Sequence, residues 1–245
     1  MRYPMTERAT VVLVHGAFVD ASSWWPVVLR LLGSGHRVLA PAVGGRSLDG
    51  DGRYIRNFAE RVGGPVLLVG HGYGAAVVTV AGGARNVVGL LFIAGYALEQ
   101  GESIAQIRDA FAPTAISQHL VPAMFYGDDG EPGTEITVAV DEFPRLLAEG
   151  LPEDEASVLA VSQRPMSVSV LTERASGEAW RTIPSWGVVS TEDLTISPDL
   201  QRFGYRRARC RDIAAFEAPH LVIQTHAAEI VRFIDDILGE IAADG

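Results

Sequence analysis

The sequence predicts an α/β fold: a doubly wound, mostly parallel sheet of about six strands, interrupted by an inserted helical lid. Three observations carry this expectation. Short, continuously apolar runs alternate with helix-patterned stretches through the first 95 residues, as in strands buried on both faces of a parallel sheet. The run Pro65-Val-Leu-Leu-Val-Gly-His-Gly-Tyr-Gly-Ala-Ala76 stops at glycine and restarts as small, helix-compatible residues, which reads as strand, sharp turn and helix. Between about Tyr96 and Ala179 charges increase and strand patterning fades, and it returns at Pro184.

In order, Thr10-Val-Val-Leu-Val-His15 is the first strand and ends at Gly16. Asp20 to Ser23 offers helix N-caps before Trp24, Trp25, Val27, Val28, Leu31 and Leu32, whose spacing draws one apolar helical face closed by Gly33 and Gly35. Arg37 to Pro41 reads as a second strand, followed by a Gly/Asp-rich loop from Gly44 to Gly52 and a helix from about Tyr54 to Val62. After the central strand and its helix, Asn86 to Ala94 is a fourth strand. The segment 96–179 then reads as an inserted helical lid with a turn-rich loop at Gly127 to Gly133, dividing a core made of 1–95 and 180–245. Pro184 to Ser190 and Asp212 to Phe216 supply the last strands, and a C-terminal helix runs from about Ala227 to Ile241, capped by Thr225.

With 245 residues, 48% of them hydrophobic, the chain can bury a substantial core within one domain. Its formal charge of -10 opposes both a phosphate backbone and an anionic lipid surface, so nucleic acid and membranes are not expected partners. The first eight residues have no apolar core and no stretch is long enough to span a bilayer, which points to a cytoplasmic protein. Cys210 is the lone cysteine and the six histidines lack metal-binding spacing, so neither disulfide, metal nor cofactor is expected. The expected partner is a small-molecule substrate. Oligomeric state is not legible.

Ligands in open α/β sheets sit at the carboxyl ends of the strands. There the sequence offers His15-Gly16-Ala17-Phe18 after the first strand, Gly72-Tyr73 after the central one, Asp193 after the strand ending at Ser190, and His220 after the last. The central turn has the frame of a nucleophile elbow, G-x-S-x-G, in which a strained corner lifts a serine above the sheet. Gly70 and Gly74 are its flanking glycines, and Gly72 stands at the serine's place. The order acid then histidine downstream, Asp193 then His220, also fits that arrangement.

The stretches VLVHGAFVDASSW, LLVGHGYGAAVV, SQRPMSVSVLTERASGEAWRTIPSWGVVSTEDLTISPDLQRF and FEAPHLVIQTHAAEIV resemble the small bacterial α/β-hydrolase proteins related to plant esterases and hydroxynitrile lyases. The likeness spans nearly the whole chain, lid included. It implies that His220 is the general base, that Asp193 orients it, and that the backbone N–H groups of Ala17 and Tyr73 form an oxyanion hole. Gly72 matches the nucleophilic serine and cannot do its work.

Simpler readings compete at the remaining positions. His15 is expected to bond backbone and shape its turn, His71 to pack inside the elbow, and His36, His119 and His226 to be solvated. Trp24, Trp25 and Trp186 read as core or lid contacts, with Phe18 and Tyr96 as candidate pocket residues. Cys210 precedes the last strand while His220 follows it, about 20 Å apart at 3.3 Å per strand residue, so it is no substitute nucleophile. Gly70-x-Gly72-x-x-Ala75 also matches a dinucleotide fingerprint, but the acid expected about 20 positions on is missing from Leu91 to Gly95.

Losing the serine of such a triad costs on the order of 10⁶ in turnover, whereas general acid–base catalysis and an oxyanion hole each contribute about 10²–10⁴ without it. The leading expectation is an enzyme whose His-Asp dyad performs proton abstraction, elimination, cyclisation or hydration on a small apolar carbonyl compound of secondary metabolism. Two alternatives stand beside it: a non-catalytic descendant that binds a small molecule or protein, and an esterase whose serine was deliberately replaced.

Overall fold

In the computed structural model, which describes residues 8–127 and 130–244, the chain begins with strand β1 (Thr10–Val14), a 3-10 turn over Ala21–Trp24, and helix α1 (Trp25–Gly33). The short strand β2 (Val38–Leu39), helix α2 (Leu48–Arg61), β3 (Val66–His71), α3 (Tyr73–Ala81) and β4 (Val87–Ile93) follow. Next come α4 (Ile104–Asp109), β5 (Leu120–Tyr126), β6 (Pro132–Val138), α5 (Phe143–Leu147), α6 (Glu153–Val161), β7 (Met166–Ser167) and α7 (Ser169–Thr172). The chain then closes with β8 (Ser185–Ser190), α8 (Pro198–Arg207), β9 (Ile213–Phe216), α9 (Val222–Thr225) and α10 (Ala227–Ala243).

Six strands form one parallel sheet in the order β2-β1-β3-β4-β8-β9. The sheet is continuously apolar because both faces are covered. Val11, Leu13, Leu67, Val69, Leu91, Ile93 and Val188 pack with Trp24, Val27 and Leu31 of the first helical region and with Ile230, Ile234 and Ile237 of α10. Val12, Val14, Leu68, Leu90 and Phe92 point the other way, toward Ile55 of α2, Val77 of α3 and Tyr205 of α8. The period-2 alternation of a strand therefore sends neighbouring residues to opposite cores, each worth about 1.5–3 kcal/mol per buried aliphatic side chain.

Several expectations need correction. The segment 96–179 is not simply helical: β5, β6 and β7 form an antiparallel sheet in that order. In β6, Ile136 and Val138 are buried while Thr134 is exposed and Thr137 half-buried, an alternation too short to stand out beside charges and prolines. Pro122 lies in β5, at the edge of this sheet, where a missing N–H costs little. Of the turn-rich stretch 127–133, residues 128 and 129 lie outside the described residues, as do 1–7 at the amino terminus.

Helix α2 starts at Leu48, not Tyr54, because Ser47 caps it by accepting from the Gly50 N–H, and the Glu173 carboxylate accepts from the N–H groups of Leu48 and Asp49. Gly52 is needed inside that helix, since a Cβ there would lie 2.5 Å from Cγ1 of Val80. On α1, Trp25 and Leu32 turn outward, 54% and 56% exposed, while Val27 and Leu31, together with Trp24 just before the helix, are fully buried. The residue preceding α10 is His226, and Thr225 bonds its imidazole rather than capping the helix. His36 is likewise not free, as its Nε2 sits 2.6 Å from the Asp235 carboxylate. His119 lies 4.0 Å from a Glu142 oxygen.

Candidate active site

β1, β3, β8 and β9 all run in the same direction, so the loops leaving their carboxyl ends meet above one edge of the sheet. At the corner between β3 and α3, two glycines are demanded by contact. A Cβ on Gly70 would lie 2.3 Å from the Gly74 carbonyl oxygen, and one on Gly74 would lie 2.3 Å from the Val14 carbonyl oxygen. Between them Gly72 adopts φ 56° and ψ −117°, in the region that favours glycine. Its N–H donates to the Ile93 carbonyl at 2.9 Å. A Cβ built on Gly72 would point at His220, with Nε2 at 3.0 Å and Cε1 at 3.3 Å.

The structure brings Asp193 and His220 together. His220 Nδ1–H donates to Asp193 Oδ2 at 2.8 Å, and both side chains are buried. Asp193 is fixed from three further directions: Oδ1 accepts from the backbone N–H groups of Thr195 at 2.7 Å and Ile196 at 2.9 Å, and Oδ2 accepts from Gln201 Nε2 at 2.8 Å. Gln201 itself accepts from the Ser190 N–H and donates to the Ile196 carbonyl. The His220 backbone is held as well, because His71 Nε2–H donates to its carbonyl at 2.8 Å. With Nδ1 committed to Asp193, His220 Nε2 has no partner among the described residues and faces the cavity above Gly72.

His71 and His15 are neutral structural residues. Burial holds His71 well below the usual imidazole range, and the neighbouring His220 ring, 4.6 Å away centre to centre, adds to the effect. Burial likewise lowers His15, whose Nδ1–H donates to the Gly16 carbonyl while Nε2 accepts from the Val43 N–H. This pins the turn after β1. Next to it, Phe18 has φ 64°, unusual for a bulky residue and a mark of backbone strain at the site. Among the described residues, neither the Ala17 N–H nor the Tyr73 N–H has a hydrogen-bond partner, and both residues line the same cavity as His220. The Tyr73 hydroxyl points away and donates to the buried Asp51 carboxylate at 2.8 Å.

That cavity is small, about 40 Å³, room for only a few waters. Phe18 and Tyr96 do line it, and the segment 96–179 closes it with Ile104, Ile116, Leu120, Ile136, Met166 and Leu171. Sequence reasoning missed these wall residues, as well as Gln201 and Arg108, because no motif marks them. Burial pushes Tyr96 up to about 12, so its phenol stays protonated. Cys210, pushed up to about 12 by burial, is inert and lines a different part of the fold, beside β8. No group of three or more His, Cys, Asp or Glu among the described residues could hold a metal ion.

A parallel sheet carrying an acid–histidine pair and a strained strand-to-helix corner defines the class, and sequence comparison agrees: residues 11–233 match the alpha/beta hydrolase family model, so the chain belongs to that family. Among curated proteins it is similar to the carbendazim hydrolyzing esterase of Nocardioides sp. (strain SG-4G), 29% identical over 127 residues, covering 46% of this chain and 52% of that protein. The chain thus aligns with about half the length of that relative. Among solved structures it superposes on polyneuridine aldehyde esterase with a TM-score of 0.81 at 15% identity, covering 94% of this chain and 99% of that one. Tomato methylketone synthase I, complexed with 2-tridecanone, gives 0.77 at 14%, covering 96% and 99%. A pyrethroid hydrolase from Sphingobium faniae JZ-2 gives 0.74 at 17%, covering 94% and 97%. At such identities these likenesses carry the fold alone. No helix among the described residues is long and apolar enough to cross a membrane.

Proposed function

We propose that the protein is an enzyme that moves protons on a small carbonyl compound without forming an acyl-enzyme. The observation that supports this reading is the position of Gly72: a Cβ built there would lie 3.0 Å from His220 Nε2, the direction in which a nucleophile would meet its base, and glycine supplies none. In this reading His220 Nε2 takes a proton from the carbon next to the substrate carbonyl. Asp193 keeps the imidazole in the tautomer that can do so and stabilises the imidazolium that forms. The oxygen that gains negative charge accepts from the Ala17 and Tyr73 N–H groups. Return of the proton to carbon completes an exchange or isomerisation; loss of a β-leaving group or attack on an internal carbonyl gives elimination or cyclisation. The apolar walls favour a substrate with little polarity beyond its carbonyl. Residues 96–179 act as a lid over this chemistry, excluding water from the core formed by 1–95 and 180–245.

The test is α-proton exchange of heptan-2-one in D₂O followed by proton NMR. The wild-type protein should accelerate deuterium uptake over buffer, and His220→Ala should return the rate to that of buffer. Equal rates for the two proteins would contradict the proposal. The esterase names of the relatives favour a second reading, in which the space over Gly72 holds a water that His220 activates for direct hydrolysis. That reading requires ester turnover that depends on His220 and leaves α-protons unexchanged.

A further inference from the structure

Arg108 is out of keeping with its surroundings. It is half-buried in the wall of an otherwise mainly apolar cavity that also holds His220. Among the described residues its guanidinium makes no ion pair, hydrogen bond or ring contact. Other arginines are spent: Arg207 is bidentate on Glu102, Arg46 pairs with Glu135, and Arg174 donates to the Gly101 carbonyl. A guanidinium with no protein partner at the junction of a cavity and an open cleft is available to a ligand anion. Tyr96 lines the same cavity, and its hydroxyl has no partner among the described residues.

Arg108 also has a second side. Together with Leu171, Thr195 and Ile196 it borders an open cleft of about 520 Å³ on the outer surface, walled further by Phe111, Pro113 and Leu200. These four residues separate the outer cleft from the inner cavity. Asp109 lies in the outer cleft and is the nearest opposing charge in sequence, yet it forms no ion pair with Arg108.

We infer that the outer cleft is the way in and that Arg108, with the Tyr96 hydroxyl, binds the carboxylate of an acidic substrate whose carbonyl then sits beside His220. A guanidinium fork and a phenol O–H together match the two oxygens of a carboxylate. This rests on the catalytic reading of His220 and narrows its substrate class from carbonyl compounds in general to small keto acids and related acyl acids.

The test is a binding measurement, which needs no turnover, so it separates this inference from the proton-transfer reading. Hexanoate and its neutral isostere hexanamide are titrated into the full chain and followed by protein-detected NMR. Wild type should prefer hexanoate by about tenfold or more, a preference that weakens as salt rises. Arg108→Gln should bring hexanoate down to the level of hexanamide, Arg108→Lys should keep part of the preference, and Tyr96→Phe should reduce it severalfold. His220→Ala should retain it, whether or not that residue catalyses proton exchange. The inference is overturned if wild type binds both compounds within twofold of each other or binds neither, or if a folded Arg108→Gln protein keeps the preference.

Discussion

The cavity has two walls built on different principles. On the strand-end wall, Asp193 receives two backbone N–H groups and a Gln201 amide, His220 is tied through both its ring and its carbonyl, and Gly72 is fixed by its bond to Ile93. On the opposite wall, Ile104, Ile116, Leu120, Ile136, Met166 and Leu171 meet the cavity by apolar contact alone. A reacting group must be held to a few tenths of an ångström and in one direction, which only short, directional bonds to rigid backbone achieve. Apolar contact is non-directional and lets a wall shift to admit a ligand, and a cavity of about 40 Å³ needs such a shift before a drug-sized molecule could enter.

The sharpest break of this contrast is Asp193→Asn. Oδ1 receives two N–H donors, so the amide oxygen must remain there, and the amide nitrogen would then face the donors of Gln201 and His220. The imidazole is left misoriented or in the wrong tautomer, and the exchange rate should fall by about 10²–10⁴ while the fold persists. A rate within threefold of wild type would show that the strand-end wall is not set by these bonds.

Next in size is Gly74→Ala, which would place a Cβ 2.3 Å from the Val14 carbonyl. Backbone cannot yield as a side-chain tip can, so urea unfolding should register a loss of about 3 kcal/mol or more. A loss below about 1 kcal/mol would mean that the corner is softer than its contacts imply.

The third expectation concerns pH. His71 is buried and neutral, with its value held well below 6.5 by burial. Below about pH 6.5 the unfolded chain takes up a proton there that the folded chain refuses. Stability from this group is therefore full above pH 6.5 and declines as pH falls toward the folded value, by up to about 1.4 kcal/mol per pH unit. In His71→Gln that component of the slope should vanish, and an unchanged slope would contradict it.

The smallest effect falls on the apolar wall. Leu171 is half-buried, and Leu171→Ala should cost about 1 kcal/mol in stability. It should nevertheless alter discrimination between short and longer acyl chains, measured as the ratio of hexanoate to decanoate affinity. An unaltered ratio would remove Leu171 from the binding surface.

The same contrast explains what was legible in the sequence. The strand-end residues were readable because β1, β3, β8 and β9 end at fixed places, and His15, Gly72, Asp193 and His220 stand one to four residues beyond those ends. The elbow glycines were readable because close backbone approach leaves no alternative residue. The apolar wall was not readable. Ile136 and Met166 come from short strands separated by 27 intervening residues, and Arg108 lies near the end of a six-residue helix with no motif around it. Gln201 was hidden for a different reason: it reaches Asp193 from eight residues downstream only because α8 folds back over β8.

Whether Gly72 stands where a nucleophile would is read by intact-protein mass spectrometry after exposure to a fluorophosphonate. The glycine's positive φ makes serine strained there by about 1–3 kcal/mol, which a folded domain can absorb. Wild type should remain unlabelled, and Gly72→Ser should gain one phosphonyl group at residue 72, together with a burst of p-nitrophenyl acetate hydrolysis that is lost again in the Gly72→Ser, His220→Ala double variant. A folded Gly72→Ser protein that takes up no label and shows no burst would contradict the account.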